Sequence, residues 1–221
     1  MNELIESQER LPAWAAPRER RYVEFGHDHG GRVLKWLAFS GYDGRALLLS
    51  EEVLDVQPYA GSEIEQCSWE ESTLEEHVRK SLALDLFDSA ERLYIDGSPW
   101  VPSRDQIESW LPRDADRIAY PTSHAASSTF GFDAGHPARY WLSTPGDEFH
   151  VMFVRPDGDV DPYGFPVADE VGLGVRLACR LKVPLLFETT WLPPFVDDEF
   201  LDLTTDWESQ PGQEAKPPDS K

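Results

Sequence analysis

Two histidines separated by one residue, His27 and His29, form the pattern in this chain that most suggests metal chemistry. In an extended segment such alternate imidazoles can point the same way and bind one ion. A metal site needs a third and usually a fourth ligand, and none of the other four histidines stands in a recognisable partner motif. We therefore expect no metal site, and a small metal-dependent hydrolase built on these two histidines is an alternative.

The acidic run from Asp157 to Asp161 resembles the start of a calcium-binding loop, because its carboxylates alternate along the chain. An EF-hand requires Gly at the sixth position and Glu at the twelfth, where this chain has Pro162 and Ala168. A hairpin turn with solvated carboxylates is the better interpretation. The pair Gly172 and Gly174 lacks the third glycine of a dinucleotide loop and is interpreted as a close packing position.

A hydrolytic triad can be assembled on paper from Ser127 or Ser128, His124 and Asp133. No nucleophile elbow of the Gly-x-Ser-x-Gly type surrounds either serine, and residues of these kinds stand near one another in many loops. We expect no catalytic residues and no cofactor, and we predict that the protein is not an enzyme.

Acidic residues alternate with aromatic residues in two segments, and this pattern predicts a surface that binds a protein partner. Carboxylates attract a basic surface and accept paired hydrogen bonds from Arg, while a desolvated aromatic ring contributes much of the binding energy. The other interpretation is that the aromatic rings only anchor a solvated acidic face to the core. The predicted partner-binding residues are Glu63, Glu65, Trp69, Glu70, Glu71, Glu75, Asp197, Asp198, Glu199, Phe200 and Asp202.

The net charge of −21 is unevenly distributed along the 221 residues. Residues 1–50 carry 7 acids and 7 bases, whereas residues 51–100 carry 13 acids and 3 bases, a net charge of −10. A negative field of this kind repels nucleic acid and anionic membranes and attracts basic proteins. We expect a basic protein partner and neither a nucleic-acid nor a membrane partner.

The first half of the chain predicts a three-stranded meander followed by helices. Strands are expected over residues 20–25, 32–39 and 45–50, with a further strand candidate at 92–96. Ser72 with Glu75, and Ser103 with Gln106, are capping-box pairs that begin two helices. The apolar positions of the first helix recur every four residues, at Leu74, Val78, Leu82 and Leu86.

The second half predicts a hairpin, a turn and a third helix. Residues 140–143 and 148–155 alternate in polarity across the turn at residues 144–147, and Asp157 with Gly158 turns the chain again. Residues 113–138 read as irregular, 167–182 as a helix and 185–189 as a strand. The order of elements indicates an α+β fold, with a mostly antiparallel sheet and about three helices packed against it.

Composition predicts one folded domain over residues 1–208 and a disordered tail over residues 209–221, which lacks large apolar residues. The start of the chain has no basic and apolar signal pattern, and no stretch reaches the roughly 20 apolar residues of a membrane helix. We expect a cytoplasmic protein in which Cys67 and Cys179 are reduced thiols.

Two short motifs carry a resemblance to a known family. Residues 96–100 (DGSPW) follow a strand candidate, and Arg139-Tyr140-Trp141 begins the hairpin. With the acidic, Trp-rich composition, residues 20–205 resemble bacterial immunity proteins of polymorphic toxin systems, and among them the immunity protein 52 family. The resemblance implies inhibition of a restriction-endonuclease-like toxin, and it carries over no individual residue.

The expected function is therefore that of an acidic immunity protein that binds and neutralises a cognate basic toxin, most naturally a nuclease. The groove of a nuclease must be positive to hold phosphates, so a carboxylate-rich surface can compete for it. The alternative is a chaperone or adaptor of a bacterial secretion system, which would bind an effector without blocking its activity.

Overall fold

The computed structural model describes residues 22–40, 45–62, 64, 68–128, 133, 135–170 and 172–182. In these residues nine strands form two sheets, with the orders β1-β2-β3-β9 and β4-β8-β5-β6-β7. The strands are β1 (Tyr22–His27), β2 (Val33–Ser40), β3 (Arg45–Ser50), β4 (Asp55–Gln57), β5 (Tyr140–Pro145), β6 (His150–Val154), β7 (Val160–Pro166), β8 (Leu173–Val175) and β9 (Ala178–Lys182).

The helices of the described residues are short, and they are α1 (Thr73–His77), α2 (Ala83–Leu86), α3 (Arg104–Trp110), α4 (Asp114–Arg117) and α5 (Ser123–Ser128). A π turn, Val78–Leu82, joins α1 to α2. All strand pairs are antiparallel except β5 with β8, which meet in parallel at Tyr140 and Gly174. The prediction of an α+β fold with a mostly antiparallel sheet and helices packed against it is confirmed.

The N-terminal meander and the later hairpin form as predicted. In the meander, β2 pairs with β1 on one side and with β3 on the other. In the hairpin, β5 pairs with β6, and Gly146 closes the turn with a hydrogen bond from its N–H to the carbonyl of His150. Both succeed as predictions because a hairpin depends on turn residues and alternation within a few positions of each other.

The predicted helix over residues 167–182 is wrong. This segment instead contains β8 and β9, joined by Arg176 and Leu177. Residues 173–179 are all buried, because strands packed on both faces need no polar side. In β9 the exposed residues Arg180 and Lys182 alternate with buried ones. A continuous apolar run does not distinguish a buried strand from a helix by periodicity alone.

The two sheets are connected by one strand pair that crosses from the first sheet into the second. β3 pairs with β9 in the first sheet, and their chain neighbours β4 and β8 pair in the second. At the crossing, Ser50 donates its N–H to the carbonyl of Leu177, and Leu54 donates its N–H to the carbonyl of Val175. The crossing therefore ties the N-terminal meander to the C-terminal strands.

The helix that follows Ser72 explains the four-residue spacing of its apolar positions. Leu74, Val78, Leu82 and Leu86 are each at most 1 % exposed. A four-residue step in an α-helix overshoots a full turn by about 40°, so three steps would turn Leu86 about 120° away from Leu74. The π turn between α1 and α2 is wider, which reduces this drift and keeps all four side chains in the core.

Two other predictions about local structure need correction. The strand candidate at residues 92–96 is not a strand. Glu91–Leu93 forms a 3₁₀ turn, and Ile95 makes one isolated bridge to Leu181. The range 113–138, read as irregular, contains α4 and α5. Helix α3 forms as predicted, with Ser103 and Gln106 in a reciprocal capping box.

The first sheet contributes apolar side chains to the core from both of its faces. Trp36 and Leu48 lie in one apolar cluster, which includes the stripe of α1 and α2. Leu37 and Leu49, the next residues along the same strands, lie in a second cluster with Ile107 of α3. Neighbouring residues of a strand point to opposite faces, so each strand of the meander contributes to both clusters.

Several predictions concern residues outside the described ones, namely the strand at 185–189, the tail at 209–221 and the state of Cys67. The single domain over residues 1–208 stays a prediction, because it extends beyond the described ranges. Cys179 is a buried free thiol, and burial raises its pKa. Among the described helices, none has the length and apolar character needed to cross a bilayer.

Candidate functional site

The first predicted partner segment is anchored to the core by Trp69. Its half-buried ring packs against the first apolar cluster, with its centroid 6.2 Å from that of Tyr59. Ser72 locks the junction with α1, since its hydroxyl donates to the carbonyl of Trp69 at 2.7 Å and accepts from the N–H of Glu75 at 3.0 Å. Trp69 therefore acts mainly as an anchor, and the carboxylates around it form the accessible part of the segment.

Four carboxylates project from the 3₁₀ turn Trp69–Glu71 and from α1, and we call them the acidic surface: Glu70, Glu71, Glu75 and Glu76. Glu71 accepts hydrogen bonds from the N–H and the hydroxyl of Ser68, at 3.2 Å and 3.1 Å. Glu75 pairs with Arg79 at 3.1 Å, and Glu76 pairs with Lys80. The hydrogen bond from Lys80 lowers the pKa of Glu76.

Glu70 and Glu71 are exposed and have no cationic partner among the described residues. In the N-terminal turn of α1, Glu75 also offsets the positive end of the helix. The acidic surface therefore contains two carboxylates without a cationic partner among the described residues, of which Glu71 also accepts hydrogen bonds from Ser68, and two that are shared with bases one helical turn away.

The other predicted partner residues lie outside the described ones, so their positions relative to the acidic surface stay predictions. In the first segment these are Glu63 and Glu65. In the second segment they are Asp197, Asp198, Glu199, Phe200 and Asp202.

The loop that contains His27 and His29 is organised by the side chain of Asp28. One carboxylate oxygen of Asp28 accepts from the N–H groups of Gly30 and Arg32, both at 2.9 Å. The two imidazoles contact different carboxylates, with His27 Nδ1 lying 3.7 Å from Glu91 and His29 Nε2 lying 3.8 Å from Asp85.

A cluster of histidines around Asp55 was not anticipated from the sequence. His77 Nε2 lies 2.8 Å from one carboxylate oxygen of Asp55, and His124 Nε2 lies 3.6 Å from the other. The ring of His29 stacks on that of His124 with their centroids 3.7 Å apart. The cluster joins the β1–β2 turn, β4, α1 and α5, which are distant in the chain, so no local pattern could have indicated it.

Asp55 is the buried centre of this cluster, at 4 % exposure. Burial by itself raises the pKa of a carboxyl group, but hydrogen bonds from His77, Gln57 and the N–H of Val56 outweigh it, so the pKa of Asp55 lies below its usual value. The charged carboxylate is therefore the stable form, and it holds α1 against β4.

The arrangement does not provide a hydrolytic or metal-binding constellation in the described part of the chain. Ser127 and Ser128 both donate their hydroxyl groups to the carbonyl of His124, and Asp133 contacts His136 and not His124. Among the described residues, no group of three His, Cys, Asp or Glu side chains is arranged to hold a metal ion.

A cleft of about 420 Å³ opens between Asp133 with residues 136–139 on one side and the start of the β6–β7 turn on the other. Arg139 and Arg155 line it together with Asp133 and the apolar ring of Phe153. Arg155 is already paired with Asp157 and Asp159, at 3.5 Å and 3.2 Å. The charge of Arg155 is therefore balanced by carboxylates, whereas the guanidinium of Arg139 lies 5.2 Å from the ring centroid of Phe165.

The chain was compared with family models, with curated proteins and with solved structures, and no match was found in any of the three.

Proposed function

We propose that this protein is an acidic immunity protein that binds and neutralises a basic protein toxin, with a nuclease as the toxin class. The observation that carries the proposal is the pair Glu70 and Glu71, two exposed carboxylates without a cationic partner among the described residues. They stand on a turn that is anchored by Trp69 and joined to α1 through Ser72. Such a turn loses little conformational entropy on binding.

The electrostatics of the whole chain support the same class of partner. A net charge of −21 accelerates encounters with a basic protein and opposes binding to nucleic acid. The catalytic groove of a nuclease combines positive charge with space for phosphates, so carboxylates can take the place of the substrate. The acidic surface would occupy or border that groove.

The test uses purified nucleases with a restriction-endonuclease-like fold and a basic surface, with an acidic nuclease as the negative control. Binding is measured by isothermal titration calorimetry, and cleavage of a labelled DNA is measured in parallel. We expect binding of a basic nuclease and loss of cleavage. The affinity should fall by at least about tenfold between 50 and 300 mM NaCl, because screening weakens the attraction.

The charge-reversal variant Glu70→Lys with Glu71→Lys should weaken this affinity by about a hundredfold, because like charges then face each other across the interface. The matched control is Asp105→Lys with Glu170→Lys, which changes two exposed acids elsewhere and alters the net charge equally. An equal loss in both variants would contradict the acidic surface as the binding site.

The two parallel measurements also separate the possible functions. Binding that leaves cleavage intact would indicate a chaperone or adaptor in place of an immunity protein. Failure of every basic nuclease to bind would contradict a nuclease partner.

A further inference from the structure

One face of the first sheet combines apolar side chains with cations, in contrast to the acidic character of the chain. Phe39, Leu47 and Arg180 stand side by side on β2, β3 and β9, since Phe39 is in register with Leu47 and Leu47 with Arg180. Trp110 of α3 contacts Phe39, with ring centroids 5.8 Å apart. Phe39, Leu47 and Trp110 remain half-buried, so α3 covers this face only in part.

Two exposed cations border this apolar strip. Arg180 and Lys182 are two residues apart on β9 and therefore lie on the same face of the sheet. The guanidinium of Arg180 lies 5.3 Å from the ring centroid of Trp100. We call Phe39, Leu47, Trp110, Arg180 and Lys182 the basic face.

Neither cation of the basic face forms an ion pair within the described part of the chain, although the protein has 41 acids and 20 bases. By contrast, Arg79, Lys80 and Arg104 each pair with a carboxylate four residues away. The basic face therefore offers two unpaired cations beside an incompletely covered apolar strip. Its complement is a segment with both aromatic rings and carboxylates.

The chain contains such a segment soon after it leaves the basic face at Lys182. Residues 195–202 (FVDDEFLD) combine two phenylalanines with four acids and contain no base. The 13 residue steps from Lys182 to Phe195 can span up to about 45 Å, while Arg180 lies only about 10 Å from Phe39 across two strand spacings. The N-terminal residues 1–21 carry equal numbers of acids and bases and complement the basic face less well.

We propose that residues 195–202 dock on the basic face of their own chain. Carboxylates of Asp197, Asp198 or Glu199 meet Arg180 and Lys182, and Phe195 or Phe200 covers the strip formed by Phe39 and Leu47. The residues between Lys182 and Phe195 act as a linker that favours docking on the same chain over docking on a second copy. A short linker gives the attached segment an effective concentration in the millimolar range. This contact goes beyond the proposed function, since it gives the second acidic segment a role within the fold and leaves partner binding to the acidic surface.

The test is zero-length carbodiimide cross-linking of the full chain, followed by mass spectrometry of the monomer band. The Lys182 amine should couple to residues 197–202 at about five times or more the yield of coupling to Asp206, Glu208 or Glu214, which follow later in the same chain. Equal yields along the tail would overturn the proposal, because a freely moving tail has no preferred acid.

A charge swap tests the specificity of the contact. Arg180→Glu should reduce the Lys182 cross-link about fivefold, and adding Asp198→Arg should restore it, because the pair is then reversed in sign. The matched control is Arg79→Glu on α1, which changes the net charge equally and should leave the cross-link unchanged. An Arg180→Glu yield equal to that of the parent protein would overturn the proposal.

Two further measurements establish that the variants are folded and that the cross-links lie within one chain. Circular dichroism establishes that each variant is folded, and Arg180→Gln replaces Arg180→Glu if the reversal unfolds the chain. Mixing ¹⁵N-labelled and unlabelled protein shows whether the linked peptides come from one chain, and links found only between two chains would overturn docking within the chain. The toxin takes no part in this test, so its result is independent of the proposed function.

Discussion

At the scale of single residues, Asp55 is a buried carboxylate whose negative charge is stabilised by hydrogen bonds. A buried carboxylate is tolerated only when its oxygens accept hydrogen bonds, and Asp55 receives three from His77, Gln57 and the N–H of Val56. If one partner of such a set is removed, the polar atoms that remain are buried without a hydrogen bond, and the free energy of unfolding falls. The carboxylate links β4 to α1 and thereby positions the helix that carries the acidic surface.

Asp55→Asn should lower the free energy of unfolding at pH 7 by about 2 kcal/mol, because a neutral amide replaces a charged acceptor. The pKa of Asp55 is lowered in the folded state, so its stabilisation is present above the ordinary pKa of about 4 and is lost as the pH falls through the lower folded value. The difference between parent and variant should therefore shrink below about pH 4.

Urea unfolding at pH 7, 5, 4 and 3 measures this difference. Asp105→Asn is the control, because Asp105 is exposed at the start of α3 and should change stability little at any pH. A difference that stays constant down to pH 3 would show that the charge of Asp55 is not the source of the stabilisation.

At the scale of elements, the crossing of the strand pair from one sheet to the other depends on Arg176. This residue is 1 % exposed, and its Nε donates to the carbonyl of Ser50 at 2.7 Å. Its Nη1 donates to the hydroxyl of Tyr140 at 3.1 Å, whose ring centroid lies 5.4 Å from the guanidinium. One planar group therefore holds β3, β5 and the β8–β9 junction together.

Arg176→Lys should lower the free energy of unfolding by about 3 kcal/mol. An ammonium group keeps the charge but cannot span acceptors on two sides, so buried polar atoms lose their partners. The same substitution at Arg155, an exposed residue paired with Asp157 and Asp159, should leave the free energy of unfolding nearly unchanged. Chemical denaturation of both variants measures the contrast, and equal costs would contradict the structural role of Arg176.

At the scale of the whole molecule, the excess of acids over bases opposes compactness. With a net charge of −21, the negative charges lie closer together in the folded chain than in the unfolded chain, and their repulsion lowers the free energy of unfolding. Surface ion pairs such as Glu75 with Arg79 work in the opposite direction, but each contributes less than about 1 kcal/mol. Repulsion should therefore dominate the response to salt.

The unfolding temperature should rise by about 2–4 °C between 20 and 300 mM NaCl, the shift that roughly 1 kcal/mol produces in a domain of this size. Differential scanning calorimetry measures it. Choline chloride at equal ionic strength is the control, because screening does not depend on the identity of the cation. A fall in the unfolding temperature would mean that attractive ion pairs outweigh the net repulsion.

The sequence predicted well the elements whose cues are local. Ser72 and Ser103 begin helices because a hydroxyl can satisfy an N–H group three residues away. The sequence failed at residues 167–182, where four apolar positions matched a helical period by coincidence and burial of residues 173–179 removed the strand alternation there. It also missed the pairing of Asp55 with His77 and His124, 22 and 69 positions away.

By itself, the sequence determined the acidic excess, the α+β class, the helix starts at Ser72 and Ser103 and the position of the hairpin, because charge is additive and caps and turns act within a few residues. Only the tertiary structure decided that β8 and β9 carry the chain between two sheets, and that Trp69 anchors the acidic surface. It also decided that Arg180 and Lys182 lie beside Phe39 and Leu47. These arrangements depend on which distant segments exclude water together, and no local pattern encodes that.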